Sequence, residues 1–315
     1  VSEQTQDIAV SVVIVNYNGG SDILACLASL VKSEQEFPVE IVVVDNGSED
    51  GSPAKIFAQF PQVRLLELAQ NRGFAAGCNI GIDVAKGGAI LLLNPDTEVE
   101  IGAIEKMYRA LTEHPEWGIV GAKMLDSNGK PYRAARRFPT VRDLAYQATG
   151  LARLFSSSRK FNGYLYGEKE IESLSEVEQI EGSCLMISEA AHKKIGNLDE
   201  RFFIFFEEVD WCKRAYEAGY RPHIVQDAKV VHKISTTMGK YYKRSREVHA
   251  QSAMKYFQKH YGDRGLAELR SRMSTALAVR VLLLALPALF GLGNSRKRFS
   301  GTLAERRTYT EGLKS

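Results

Sequence analysis

The run LLLNPDTEV, Leu91–Val99, turns abruptly from aliphatic residues to Asn94-Pro95-Asp96, so a buried strand ends in a presented carboxylate. Pro95 has no backbone N–H to offer a neighbouring strand and ends the pairing there. A carboxylate in that place suits a divalent cation, because Mg²⁺ or Mn²⁺ takes oxygen ligands and is shared between one or two carboxylates and substrate phosphates. A second acidic constellation, Glu207, Glu208 and Asp210, follows the aromatic run RFFIFF. Acids in the first turn of a helix gain from its dipole. An apolar wall beside one of them also raises its pKa and makes a usable general base. His232, in VVHKIS, closes a short strand; it becomes a metal ligand if that strand reaches the edge that holds Asp96.

Regular elements must carry these groups. AVSVVIVNY reads as a buried strand, Ser21 as the cap of a helix over 22–31, and VEIVVVDNGS as a second buried strand ending at Asp45. A short helix after Pro53, a strand at VRLLEL, a helix over GFAAGCNIGIDVAK and a strand at GAILLLNPD follow. Strands alternating with helices imply a parallel α/β sheet with right-handed crossovers, whose ligands bind beyond the carboxyl ends of the strands. Three strands end in polar groups: Asn16-Tyr17-Asn18, Asp45-Asn46-Gly47 and Asn94-Pro95-Asp96. Each alone is ordinary turn chemistry; together they mark one edge. The second half is less regular, with strands expected at WGIVGAKML and AKVVHKIS, a mobile loop at SSSRKFNGYLYGEKE and a helix near 244–260.

The bulk numbers fit this reading. The chain has 315 residues, 44% apolar and 25% charged, which is ordinary globular composition. Four scattered cysteines without a CxxC pair argue against a structural zinc site and a disulfide framework, and suit a reducing, cytoplasmic setting. The polar opening VSEQTQDIAV is not a signal peptide. GxGxxG, GxxxxGK[ST] and GxSxG are all missing, which removes the fingerprints of a dinucleotide site, a P-loop and a hydrolase elbow.

The series VSVVIVNYNG, EIVVVDNGSEDGS, NRGFAAGCNIG, ILLLNPDTEV and LDERFFIFFEEVDWCKRA resembles glycosyltransferase family 2, and within it the bacterial rhamnosyltransferase-like branch, from about residue 10 to about 235. The resemblance implies the GT-A fold, an αβα nucleotide-binding sandwich with a mostly parallel sheet. It also implies an inverting, metal-dependent transfer from a nucleotide-diphosphate sugar. It places Tyr17 and Asp45 on the nucleobase with Asn18 and Arg72 nearby, and Asp96 as the last carboxylate of the family's DxD. Asn94 stands at the first carboxylate of that motif, as is usual in this branch, which makes His232 more attractive as a second ligand. Glu208 takes the position of the catalytic base, one methylene longer than the family's usual aspartate. The implied reaction moves L-rhamnose from dTDP-rhamnose to a lipid-linked glycan in surface polysaccharide synthesis. A UDP-hexose or UDP-N-acetylhexosamine transferase is the alternative, and a nucleotide-sugar-binding protein without turnover is the alternative of another class.

The expected organisation is a catalytic domain over 1–262, with a nucleotide-sugar half at about 8–125 and an acceptor half at about 126–262, followed by a basic helical tail over 263–315. From Lys240 onward stand sixteen Lys/Arg against five Asp/Glu, a charge of +11 on a body that carries −8. Leu266, Leu269, Met273, Leu277, Val281 and Leu284 recur at helical steps, and an apolar block over 281–292 precedes Arg296-Lys297-Arg298. The block is too short to span a bilayer, which takes about 20 apolar residues. An interfacial helix on an anionic membrane, at the inner face of the cytoplasmic membrane, fits this pattern. A helix packed on the catalytic domain or in a homodimer is the competing reading. Basic residues interleaved with aliphatic ones, without stacking aromatics, argue against nucleic acid.

Overall fold

The computed structural model describes residues 8–33, 36–167, 173, 175–233 and 242–313. In chain order the elements are β1 (Val10–Asn16), α1 (Gly20–Lys32), β2 (Val39–Asp45), α2 (Ser52–Gln59), β3 (Arg64–Glu67), α3 (Phe74–Val84), β4 (Ala89–Leu93), β5 (Thr97–Val99), α4 (Ala103–Glu113), β6 (Ile119–Leu125), β7 (Ala135–Arg136), α5 (Val141–Thr149), α6 (Leu151–Leu154), β8 (Gln179–Ile180), β9 (Cys184–Ser188), α7 (Glu189–Ile195), α8 (Glu207–Glu217), β10 (His223–His232), α9 (Tyr242–Leu289) and α10 (Ser295–Glu311). They fall into two compact units. The first takes residues 1–136, 168–200 and 207–234; the second takes 137–167, 201–206 and 235–315.

The first unit is built on an eight-stranded sheet of order β3-β2-β1-β4-β9-β6-β10-β5. β3, β2, β1 and β4 run parallel, as the alternating pattern predicts. The other half is mixed. β9 lies antiparallel between β4 and β6, and β5 antiparallel against β10. β1 and β4 are buried along their whole length, which is why both read as unbroken aliphatic runs. Each fully buried Val, Leu or Ile there contributes about 1.5–3 kcal/mol. α3 lies close against β1 because it carries glycine: a Cβ on Gly81 would stand 2.4 Å from Val13 Cγ1, and one on Gly77 2.9 Å from Val15 Cγ1. α1 starts at Gly20, without a side-chain cap, so Ser21 sits inside the first turn rather than capping it.

The second unit is helical. α5 opens with a capping box between Thr140 and Asp143, and α9 packs on α5 and α10. α9 is broken at Gly262 (φ 65°) and reaches further than the expected 244–260. Residue 262 lies inside the second unit, within its segment 235–315. Leu269, Met273 and Leu277 of the helical stripe are buried in this packing. Arg270 donates to the Tyr309 and Thr310 carbonyls at 2.9 and 2.8 Å, fastening α9 to α10. The middle of the stripe is therefore core. The later apolar block is not: Leu282, Leu283, Leu286, Leu289, Phe290 and Leu292 are between 63% and 74% exposed. By length and composition alone, Lys243–Leu289 could cross a membrane, with a mean hydropathy of 1.6 over its most apolar window. The segment SSSRKFNGYLYG makes turns beside α6, and its continuation at 168–170 lies outside the described residues.

Candidate active site

The ends of β1 and β2 form a hydrogen-bonded corner. Asp45 is buried; its Oδ1 accepts from Asn16 Nδ2 at 2.7 Å and its Oδ2 from the Ser48 N–H at 2.9 Å. Asn18 sits in the left-handed region (φ 52°), donates its N–H to Ser48 Oγ at 2.8 Å and accepts from the Glu49 N–H at 2.9 Å. Asparagine tolerates that conformation better than most residues. Tyr17 is 40% exposed, and Arg72 is exposed too. Asn46 holds the Arg72 segment: its Oδ1 accepts from the Arg72 N–H at 2.8 Å and its Nδ2 donates to the Gly73 carbonyl at 2.9 Å. The corner thus presents an aromatic ring and a guanidinium on a rigid polar base.

β4 ends at Leu93, and the Asn94 N–H donates to the Ser183 carbonyl at 3.0 Å. Asp96 follows in the turn into β5. Antiparallel pairing sets His232 opposite Thr97, so His232 Nε2 lies 3.0 Å from Asp96 Oδ1, with both side chains 12% exposed. On the far side of the ring, His232 Nδ1 lies 2.6 Å from Tyr132 Oη. Burial and then Glu181 push the Tyr132 phenol up, so it keeps its proton. Tyr132 also donates to Glu181 Oε2 at 3.4 Å, and Glu181 pairs with Arg136. One chain of polar contacts therefore runs Asp96–His232–Tyr132–Glu181–Arg136. Sequence reading found only its first two members. Glu181 follows β8 much as Asp96 follows β4, which is a usable signal; Tyr132, in an irregular stretch, has none.

The three acids of α8 separate into different environments. Asp210 is fully buried and accepts from Arg214 Nε at 2.9 Å, one turn along the helix. Arg214 also donates to the Ile195 and Asn197 carbonyls. Asp210 is thus engaged in a buried ion pair that anchors α8. Glu207 is buried near Cys78 of α3; burial and then the Glu208 charge push its carboxyl well up. Glu208 is half-buried, near Phe74 across Gly182, where an added Cβ would lie 3.6 Å from Glu208 Cβ and 3.5 Å from the Phe74 ring. Burial raises its carboxyl, Arg136 opposes this and Glu181 adds to it. One oxygen of each glutamate is sealed from solvent without a hydrogen-bond partner. Expectation assigned the apolar surroundings to RFFIFF. In the second unit that run packs on α9, where Phe205 and Phe206 meet His249 edge-on. Both phenylalanines have φ 69°, a conformation costly for bulky residues, directly before the acids.

A divalent cation fits Asp96 and His232. No cluster of three His, Cys, Asp or Glu occurs among the described residues, but two protein ligands suffice when substrate phosphates complete the shell. Tyr132 can donate to or accept from Nδ1. Nε2 can therefore give Asp96 an N–H or give a cation its lone pair, the kind of outer partner that orients metal-bound imidazoles. All four cysteines are free and buried, and burial pushes Cys26, Cys184 and Cys212 up to about 12, so none is a ready nucleophile.

Known proteins resemble this chain in sequence and in fold. The sequence profile of "Glycosyl transferase family 2" matches residues 11–171. An N-acetylglucosaminyl-diphospho-decaprenol L-rhamnosyltransferase of Mycobacterium tuberculosis is 28% identical, over 85% of this chain and 90% of its own. The dTDP-rhamnosyl transferase RfbF of Shigella flexneri is 27% identical, over 70% and 68%. Among solved structures, the mannosyltransferase PcManGT of Pyrobaculum calidifontis, in complex with GDP-Man and Mn²⁺, superposes with a TM-score of 0.55 at 16% identity, covering 98% of this chain and 90% of its own. TarS residues 1–349 of S. aureus, with UDP-GlcNAc, gives 0.51 at 17% identity, covering 97% and 93%. At such identities the structures show the shared GT-A fold.

Proposed function

This chain belongs to glycosyltransferase family 2, and on that premise we propose that it transfers L-rhamnose from dTDP-rhamnose to a lipid-linked glycan in bacterial surface polysaccharide synthesis, with inversion. The observation that carries the mechanism is the pairing, in one unit, of the Asp96–His232 contact with the unpartnered oxygen of Glu208. The donor class rests on the relatives' names.

Tyr17 and Asp45, with Asn18 and Arg72, hold the nucleotide at the corner of β1 and β2. Asn94 and Asp96 face its diphosphate. Asp96 and His232 hold Mg²⁺ or Mn²⁺, and the imidazole favours Mn²⁺. When bound, the ion offsets the charge that builds on the departing diphosphate. Glu208 takes the proton of the acceptor hydroxyl, whose oxygen bonds to the anomeric carbon as the carbon–oxygen bond to the diphosphate breaks on the opposite face. A raised carboxyl is a stronger base for that step. One carboxylate is enough for a single displacement, whereas a retaining glycosidase needs two flanking the bond. Burial keeps Glu208 raised, with Glu181 adding to it, and Asp210 fixes the helix. The exposed apolar block and Arg296-Lys297-Arg298 support a peripheral seat on the inner face of the cytoplasmic membrane.

A donor panel tests this. With Mn²⁺, dTDP-rhamnose should raise the melting temperature more than UDP-N-acetylglucosamine or GDP-mannose, since a bound donor stabilises the fold by mass action. Proton NMR of the product should give the inverted anomer. A larger shift with a UDP-sugar would move the assignment to the hexosyl alternative.

A further inference from the structure

β6 ends at Leu125, and the chain turns back on itself there. Asp126 Oδ1 accepts from the Asn128 and Lys130 N–H groups at 2.8 and 2.9 Å, and the Tyr132 N–H donates to the Met124 carbonyl at 3.1 Å. This turn lays Tyr132 alongside β6, whose neighbour β10 ends at His232. The β7–β8 pair then sets Ala135 opposite Ile180, and the Glu181 N–H donates to the Ala134 carbonyl at 2.8 Å. Backbone pairing thus brings His232, Tyr132 and Glu181 into one row, distant as they are in the chain. All three belong to the first unit.

The Tyr132 hydroxyl has one proton and two acceptors. Its Oη lies 2.6 Å from His232 Nδ1 and 3.4 Å from Glu181 Oε2. With a neutral imidazole the protons can be placed in two ways. In the first, Tyr132 donates to Nδ1, and the ring's own N–H, on Nε2, donates to Asp96 Oδ1 at 3.0 Å. In the second, the ring N–H is on Nδ1 and donates to Tyr132 Oη. The hydroxyl then turns to Glu181, and Nε2 presents a lone pair to Asp96. A lone pair facing a carboxylate at that distance is repulsive unless a cation engages both. The second placement therefore belongs to the cation-bound site, since the partner of one ring nitrogen decides what the other can bind.

We propose that Tyr132 and Glu181 are positioning residues for the cation: Glu181 accepts the Tyr132 hydroxyl when it leaves His232, and so holds the imidazole in the tautomer that can bind metal. An ionised carboxylate only accepts hydrogen bonds, and the ion pair with Arg136 fixes Glu181 in place. The imidazole keeps one N–H throughout and the hydroxyl proton rotates without leaving its oxygen, so no net proton is taken up. This role rests on the reading that Asp96 and His232 hold the cation and extends it to two residues that are not ligands. Burial raises the Glu208 carboxyl, Arg136 lowers it and Glu181 raises it further, so the same arm also borders the proposed base.

The test titrates the full chain with Mn²⁺ alone and reads the free ion by electron paramagnetic resonance. Tyr132→Phe keeps the ring and should weaken Mn²⁺ binding by about tenfold or more, the range for a lost outer partner of a metal ligand. Glu181→Gln should weaken it by a smaller factor. The coupling between them separates positioning from general charge. In a Tyr132→Phe background, Glu181→Gln should have no further effect, because Glu181 acts through the hydroxyl; in a His232→Gln background neither change should matter. A Glu181→Gln effect that persists at full size in Tyr132→Phe overturns the proposal, because Glu181 then acts only as a nearby charge. So does Mn²⁺ binding unchanged in Tyr132→Phe. If Tyr132→Phe melts well below the parent, Glu181→Gln measured with and without His232→Gln carries the test, and an equal effect in both overturns it. The metal reading fails separately. A parent that binds no Mn²⁺, or a His232→Gln variant that binds it as tightly as the parent, removes both. Weakened binding in His232→Gln with none in Tyr132→Phe keeps the Asp96–His232 site and removes only the role of Tyr132 and Glu181.

Discussion

His232 Nε2 and Asp96 Oδ1 lie 3.0 Å apart across 136 residues of chain, joined because β5 and β10 pair antiparallel at the sheet edge. This contact ties the turn after β4 to the last residue of β10. It also sets together a carboxylate and an imidazole, the two protein ligands proposed for a phosphate-bound cation.

Asp96→Asn should remove the Mn²⁺ dependence of donor binding, seen as loss of the difference between melting shifts with and without the ion. His232→Gln should weaken that dependence by about tenfold or more, the lower range for a disturbed metal site. Donor binding that stays equally metal-dependent in both variants would move the metal elsewhere.

Glu208→Gln should lower kcat by about 10²-fold or more, the usual range for a lost general base. Donor affinity should stay within about twofold, because the side chain acts on the acceptor. Near-full turnover would pass the role to Glu207, since Asp210 is held by Arg214.

Burial pushes the Glu207 carboxyl well above its ordinary 4.5. Between the unfolded pKa and the raised folded pKa the native state binds the extra proton, so stability falls as pH rises through this window. Glu207→Gln keeps the shape and removes the charge. It should therefore stabilise the protein at pH 7–8 and flatten the decline, as read from urea midpoints between pH 4.5 and 8. A variant as steeply pH-dependent as the parent would show that Glu207 is ionised without penalty.

Truncation after Asp263 would strip Leu269, Met273 and Leu277 from the core of the second unit, so the membrane reading needs surface changes. Replacing Leu282, Leu286 and Leu289 by Ser should leave the melting temperature within a few degrees, since all three are exposed. Flotation with anionic vesicles should be lost. In the parent protein, salt should weaken flotation without abolishing it, because the apolar part is not screened. Unchanged flotation of the triple variant would place the membrane contact elsewhere.

β1, β2 and β4 were legible in the sequence because strands buried on both faces leave a continuous aliphatic signature. The polar groups that end them, Asn16, Asp45 and Asp96, were legible because the chain must leave the sheet where the apolar run stops. The family motifs marked Glu208 for the same local reason: each is a short word whose chemistry is carried by adjacent residues. Tertiary structure alone decided the rest. Antiparallel placement of β9 and β5 depends on pairings between distant segments, which no local period encodes. Only those pairings bring His232 to Asp96, and only the folded chain sets Tyr132 against His232 and Glu181. Asp210 and Glu208 stand two residues apart in one acidic word. Helix rotation sends one to Arg214 in the core and leaves the other with an unmatched oxygen. The heptad-like leucines and the apolar block of α9 read alike as hydrophobic stretches. Leu269, Met273 and Leu277 of the first are buried because α5 and α10 cover them, while the second, past Arg280, stays exposed. Burial depends on what lies opposite, and a sequence window contains only one side of that contact.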